Sequence, residues 1–269
     1  MVRNLFKHEA KAYLHTLVPM NIILLCVALF TRIIWIFESD TTIFNIIGGS
    51  SIFALCVAML VSIVMSYAFA ITRFYKNLFT QEGYLTMSLP VSPAQHISAK
   101  LVCAVGFNIL TLIAVALAAG VAMAGDVFVE FTRMIVYMLD KYISVFGADG
   151  VFWIIEVLIS LIISLIAQFL LYYACICIGQ LTKKNRVLAA FGAYLGYYFI
   201  TQILGTVFMI VMSVIMNTRF MEDIVEFVLN HIELTLHIAI IGSAVFGLLL
   251  AALYYFIVHR IMSRKLNLE

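Results

Sequence analysis

The sequence predicts an all-α membrane protein with six transmembrane helices, and three observations predict it. Of its 269 residues, 65% are hydrophobic and only 11% are charged, whereas a soluble domain is usually about half apolar and a quarter charged; the mean hydropathy is +1.12. Six stretches, 17–37, 46–71, 100–124, 151–181, 187–216 and 235–258, each supply the roughly 20 apolar residues that cross a bilayer core. The charges between those stretches alternate in sign from one connection to the next, as an up-and-down chain requires. Together they make one transmembrane domain over 1–269.

The chain opens with Arg3, Lys7 and Lys11 and then an apolar run that ends at Glu38-Ser39-Asp40 without a small-residue cleavage site, so it reads as an uncleaved first span. Ahead of that span, Phe6, Ala10, Tyr13, Leu14 and Leu17 recur at helical spacing, with Lys7, His8, Lys11 and His15 on the other face. This pattern predicts an N-terminal interfacial helix in the headgroup plane. Between spans three and four, in the segment 126–150, the residues Phe128, Phe131, Ile135, Met138, Tyr142 and Val145 form one stripe, while Glu130, Arg133 and Lys141 lie away from it. An amphipathic extracellular helix is expected there, lying on the membrane or capping the bundle. The fourth and fifth stretches exceed one crossing and predict tilted or projecting helices; only Lys183, Lys184, Asn185 and Arg186 separate them. The acidic stretch 217–234 is expected to dip back into the outer leaflet.

Lys and Arg in short loops mark the cytoplasmic side. Twelve of the sixteen basic residues share one side: Arg3, Lys7 and Lys11; Arg73, Lys76 and Lys100; Lys183, Lys184 and Arg186; Arg260, Arg264 and Lys265. Eleven of the fourteen acidic residues fall on the other. Both termini are therefore expected in the cytoplasm. Below, the two sides are called the basic end and the acidic end.

The composition excludes several function classes. No ionisable residue sits at mid-membrane, where gradient-driven pumps keep them; Arg32 and Glu156 lie near the acidic ends of their spans, where snorkelling explains them. None of the fourteen glycines is followed by Lys, so the phosphate-cradling G-x-x-x-x-G-K-[ST] motif is absent. His231-Ile232-Glu233 and His8-Glu9 lack the i, i+4 ligand spacing of a helical zinc site, and no catalytic residue or metal site is assigned. Cys26, Cys56, Cys103, Cys175 and Cys177 all lie inside apolar runs and read as packing residues rather than disulfides. No basic, nucleic-acid-binding surface is implied. Mid-span polarity is confined to Asn108, Gln168 and Gln202, with Ser66 and Tyr172 nearer the basic end; these serve helix-to-helix hydrogen bonds or line a substrate path. Gly192 and Gly196 have the small-xxx-small spacing of a close helix contact, within one subunit or between two.

The informative segment is the connection 72–99 between spans two and three. It lies at the basic end, yet it carries Phe74, Tyr75, Leu78, Phe79, Tyr84, Leu85, Met87, Leu89 and Val91. Apolar surface on a water-facing loop predicts a contact, and Pro90 and Pro93 stiffen the return into span three. The run Glu82-Gly83-Tyr84-Leu85-Thr86-Met87-Ser88-Leu89-Pro90-Val91-Ser92, preceded by Phe74-Tyr75-Lys76-Asn77-Leu78-Phe79, resembles the corresponding loop of bacterial type-2 ATP-binding-cassette (ABC) export permeases. The resemblance covers about twenty residues as a motif and most of the chain as a topology.

That resemblance implies a permease subunit of the bacterial cytoplasmic membrane. Such subunits pair with a second, identical or paralogous permease subunit above a dimer of ABC ATPases, on which ATP and Mg are bound. It implies that Glu82, Gly83, Tyr84, Leu85, Thr86, Leu89 and Pro90 face the ATPase, with a second contact at Lys183, Lys184 and Arg186. The expected cargo is an amphipathic or antimicrobial peptide, a drug or a lipid-linked molecule. One departure stands out, because the outer segment from Val127 to Phe146 is longer than the family's connection between spans three and four. The rival readings are a non-transporting sensor or assembly factor that uses the same ATPase-binding loop, and a self-sufficient channel or carrier.

Overall fold

The structure, a computed structural model, describes residues 2–37, 41–80, 83, 91–182, 185–215, 228 and 230–264. The described residues form six long helices: α1 (Val2–Ile36), α2 (Thr42–Phe79), α3 (Pro93–Ala122), α4 (Asp126–Gly179), α5 (Arg186–Ile215) and α6 (Ile232–Arg264). Each contains a segment long and apolar enough to cross a membrane. The described residues bear out the all-α class, and six helices that could each span a membrane agree in number with the six predicted stretches. In an apolar solvent a helix satisfies all its own backbone hydrogen bonds, which is why the apolar stretches take this form.

Residue contacts divide the chain into two compact units, 1–150 and 151–269. The first is built on α1, α2 and α3. One face of α1 is buried from end to end through Glu9, Tyr13, Leu17, Asn21, Leu24, Ala28 and Thr31, spaced three or four residues apart as a helical seam requires. Leu24 and Ala28 pack with Leu55 of α2 and Ala118 of α3. Polar layers interrupt this seam at intervals: Asn21 Nδ2 donates to Thr111 Oγ1 at 3.4 Å, Asn108 Nδ2 donates to Ser66 Oγ at 2.9 Å, and Thr31 Oγ1 donates to the Ser51 carbonyl at 3.3 Å. Such bonds hold helices together where lipid offers no hydrophobic drive between them.

Tyr13 sits at the centre of the basic half of this unit, its ring edge-on to Phe69 at 5.0 Å and stacked on Phe107 at 5.2 Å. Tyr13→Leu keeps most of the apolar bulk but loses two aromatic pairs worth roughly 0.5–1.5 kcal/mol each. Thermal unfolding in detergent should show a loss of about 1–2 kcal/mol, and an unchanged midpoint would remove Tyr13 from the core.

Two sequence expectations change here. The N-terminal amphipathic segment is not a separate element, because α1 runs from Val2 to Ile36 through Pro19 without a break. Its predicted apolar stripe also splits: Tyr13 and Leu17 are buried, whereas Phe6 and Leu14 are exposed, since the seam that packs on α2 and α3 passes through Glu9 instead. The segment 72–79 is likewise not loop but the last two turns of α2.

At its start α4 contains the predicted outer helix, and Phe128, Phe131, Ile135 and Met138 of its stripe are exposed. The helix is interrupted at Gly147, whose φ of 56° and ψ of −137° lie where only glycine rests without strain. In the second unit, α6 packs on the spanning part of α4, with the Ile163 side chain against Gly247 and the Ser160 and Ser243 hydroxyls 3.4 Å apart. Helix α5 touches its neighbours through the pairs Tyr172–Tyr194 and Tyr197–Tyr254.

Candidate functional site

The connection between α2 and α3 is shorter and more firmly rooted than its sequence suggests. On the α2 side, Phe74 and Leu78 are completely buried and Phe79 nearly so; part of the apolar surface assigned to a water-facing loop is therefore core. The exit is a turn in which the Gly83 amide donates to the Thr80 carbonyl at 2.7 Å, and Gly83 itself is buried. On the α3 side, Ser92 caps the helix: its hydroxyl accepts from the Gln95 amide, the Gln95 side chain accepts from the Ser92 amide, and Pro93 opens the first turn. This reciprocal box fixes the entry angle of a helix. Of the residues that the family resemblance turns toward an ATPase, Glu82, Tyr84, Leu85, Thr86, Leu89 and Pro90 lie outside the described residues.

Beneath these roots lies a charged cluster. The Glu9 carboxylate accepts from Arg73 Nε at 2.6 Å through one oxygen and from Lys100 Nζ at 2.6 Å through the other, and Asn77 Nδ2 approaches at 3.4 Å. Glu9 and Lys100 are each less than 5% exposed, so this is an ion cluster inside the protein. Arg73 and Asn77 belong to the last turns of α2 and Lys100 to the second turn of α3. A single carboxylate on α1 thus grips both helices that carry the connection. His96, one turn before Lys100, is also buried, and among the described residues neither of its ring nitrogens has a hydrogen-bond partner.

Sequence reasoning placed Arg73 and Lys100 in the basic end but missed Glu9. The signal was present: Glu9 lies one turn before Tyr13, on the face that Tyr13 and Leu17 bury, and only Glu82 and Glu269 share its side of the chain among the acids. A carboxylate on the packing face of a helix among cations predicts a buried pair.

The second predicted contact lies between α4 and α5. Lys183 and Lys184 are outside the described residues, and Arg186 is the first residue of α5. Asn185 takes a left-handed φ of 58°, which asparagine tolerates better than most side chains. The turn is tight enough that Gly179 faces the Ala190 backbone nitrogen and the Arg186 carbonyl.

The remaining candidates are scattered. Gly192 and Gly196 lie on α5, and a methyl group added at either meets nothing within 4 Å. Asn108 is bound to Ser66 within the first unit. Gln168 donates to the Tyr172 hydroxyl one turn along its own helix at 2.7 Å, and Gln202 is exposed on α5. Among the described residues no group of three or more His, Cys, Asp or Glu is placed to hold a metal ion.

The acidic ends of α4 and α6 hold a second cluster that the sequence did not announce. His237 Nδ1 lies 2.8 and 2.9 Å from the two carboxylate oxygens of Glu156, and Trp153 Nε1 donates to His237 Nε2. Glu156 thus faces the neighbouring helix through His237. Set against protein-family models, curated proteins and solved structures, the chain shows no match to any.

Proposed function

We propose that this chain is the membrane permease subunit of an ATP-driven exporter whose ATPase is a separate polypeptide, with both termini in the bacterial cytoplasm. The observation that carries the reading is the connection between α2 and α3. Its sequence from Glu82 to Ser92 resembles the coupling loop of type-2 ABC export permeases, and it leaves from a buried aromatic root and returns through a capped, proline-led helix. A connector anchored in this way moves its two helices when it is pushed.

In this reading ATP and Mg bind on the partner, the ATPases close, and the connectors drive the spans of two permease subunits toward an outward-open state. The nucleotide contributes only through its preference for one of the two conformations. Amphipathic peptides, drugs or lipid-linked molecules entering from the inner leaflet or cytoplasm suit so apolar a bundle. The extracellular helix 126–150 would border the exit.

Affinity purification in mild detergent tests the partner: a cassette ATPase should come along in roughly equal amount. In that complex Tyr84→Ala or Glu82→Ala should abolish cargo-stimulated ATP hydrolysis while the chain remains folded. Normal stimulation in both variants would overturn the docking assignment. Co-purification without ATP-dependent transport in vesicles would favour a non-transporting partner.

A further inference from the structure

We infer that the first part of α4, residues 126–146, is a membrane-surface anchor that lies in the headgroup plane of the leaflet at the acidic end, with its apolar face among the acyl chains and its charges turned to water. The anchor needs the six crossings and holds whether or not the chain is a permease. Glu130, Arg133, Tyr137, Asp140, Lys141 and Ser144 are all exposed and recur at helical spacing, so they form one polar stripe. Phe131, Ile135, Met138 and Leu139 point the other way and are exposed as well. Met134, Val136 and Ile143, also exposed, widen the apolar arc beyond half the circumference. One partner helix covers only a narrow seam of such an arc. A bed of acyl chains covers all of it and leaves the charged stripe outside, as for other helices that lie in a membrane interface.

Both ends of this helix are held at the same surface. Its start follows the end of α3 by a short turn, residues 123–125. A methyl group added at Gly125 would lie 2.6 Å from an Arg32 guanidinium nitrogen, so the cation near the acidic end of α1 rests against that turn. Long basic side chains hold their charged heads at the headgroup level in this way. The Phe128 ring lies beside Gly120, in the last turn of α3.

At the other end, α4 leaves helical dihedral angles at Gly147, and the next segment fit to cross begins at Gly150. The stretch from residue 146 to Gly150 reaches roughly 15 Å at most, whereas the helix before it is about 30 Å long at 1.5 Å per residue. A helix standing upright in water would therefore end too far out for the chain to re-enter at Gly150. Crossing the bilayer fails as well, because Glu130, Arg133, Asp140 and Lys141 are spread along the helix and charges at that depth are costly. A seventh crossing would also place Lys183, Lys184 and Arg186 on the side opposite Arg73 and Lys100, against the distribution of basic residues. A helix tied to one surface at both ends, unable to cross or to stand, lies along it.

The test is a tryptophan placed on each face. Trp35→Phe and Trp153→Phe remove both native indoles; in that background Ile135→Trp and Tyr137→Trp are reconstituted separately in phosphatidylcholine nanodiscs. Emission is then quenched from two sides, by iodide in the water and by lipids brominated near the top of their acyl chains. Ile135→Trp should be quenched by the lipid and several-fold less by iodide than Tyr137→Trp, which should respond to iodide and hardly to the lipid. The unaltered chain gives an independent reading that survives a background unable to fold. Nanodisc lipids carrying an aryl diazirine at the same depth should label Phe131, Ile135 and Leu139 and spare Arg133 and Lys141 in mass-spectrometric maps. Iodide reaching Ile135→Trp as freely as Tyr137→Trp overturns the anchor by placing the helix in water. An Ile135→Trp shielded from both quenchers overturns it too, since a second copy or the bundle would then cover the face. Lipid quenching of both positions, or no lipid label on this segment, does the same.

Discussion

Replacing Glu9 with alanine is expected to lower the stability of the protein by about 3–5 kcal/mol, the usual cost of removing one partner from a buried ion pair. The reason lies in what stays behind. Lys100 is 3% exposed and makes its ion pair with Glu9, so the variant leaves an ammonium inside the protein without a counter-charge. Arg73 is less affected, because its side chain is 23% exposed and can reach water along its stem. The double variant Glu9→Leu with Lys100→Met should recover most of the loss, since a buried pair replaced by apolar groups of similar volume is often neutral or better. Unfolding in detergent gives both numbers. A Glu9→Ala protein as stable as the parent, or a double variant worse than either single change, would mean that the cluster is not what joins α1 to α2 and α3.

The same cluster separates what the sequence shows from what it hides. Hydropathy located all six helices, because lipid-facing residues dominate each span and their number alone decides whether a crossing is possible. It set their ends too short at the basic side: span two reads as 46–71 but α2 continues to Phe79, and span three reads as 100–124 but α3 begins at Pro93. Those extra turns carry Arg73, Asn77 and His96, and Lys100 stands at the very edge of the predicted span; their polarity lowers a windowed average while their backbones remain helical. Position in three dimensions, and not polarity, decides their role. Phe74 and Leu78 mislead in the opposite direction, since apolar residues beyond the hydropathy window look like exposed loop, whereas both are completely buried. The pairing of His237 with Glu156 was equally invisible, because 81 residues separate them and no local spacing links them.

The turn between α4 and α5 gives the second large effect. A methyl group at Gly179 would lie 2.7 Å from the Ala190 backbone nitrogen, the Ala190 Cβ and the Arg186 carbonyl oxygen, all closer than real Cβ contacts come. Two of these atoms are backbone, so no rotamer change relieves the clash; the helices have to part. Gly179→Ala should therefore cost at least the upper end of the roughly 1–3 kcal/mol that overpacking usually costs, and Gly179→Val more. Gly192 supplies the control on the same hairpin, because a methyl there meets nothing within 4 Å. Gly192→Ala should be neutral or stabilise by about 0.5–1 kcal/mol, the ordinary gain from replacing a helix-interior glycine. Opposite signs at two glycines of one hairpin separate close packing from helix propensity, and equal effects would remove the tight turn from the argument. Gly192 then decides a further point. If a second copy of the chain packs against this face, as the small-xxx-small spacing with Gly196 allows, the bulkier Gly192→Ile should shift a detergent-solubilised dimer to monomer in light scattering while Gly179→Ala does not. A dimer unmoved by Gly192→Ile places the contact between subunits on another helix.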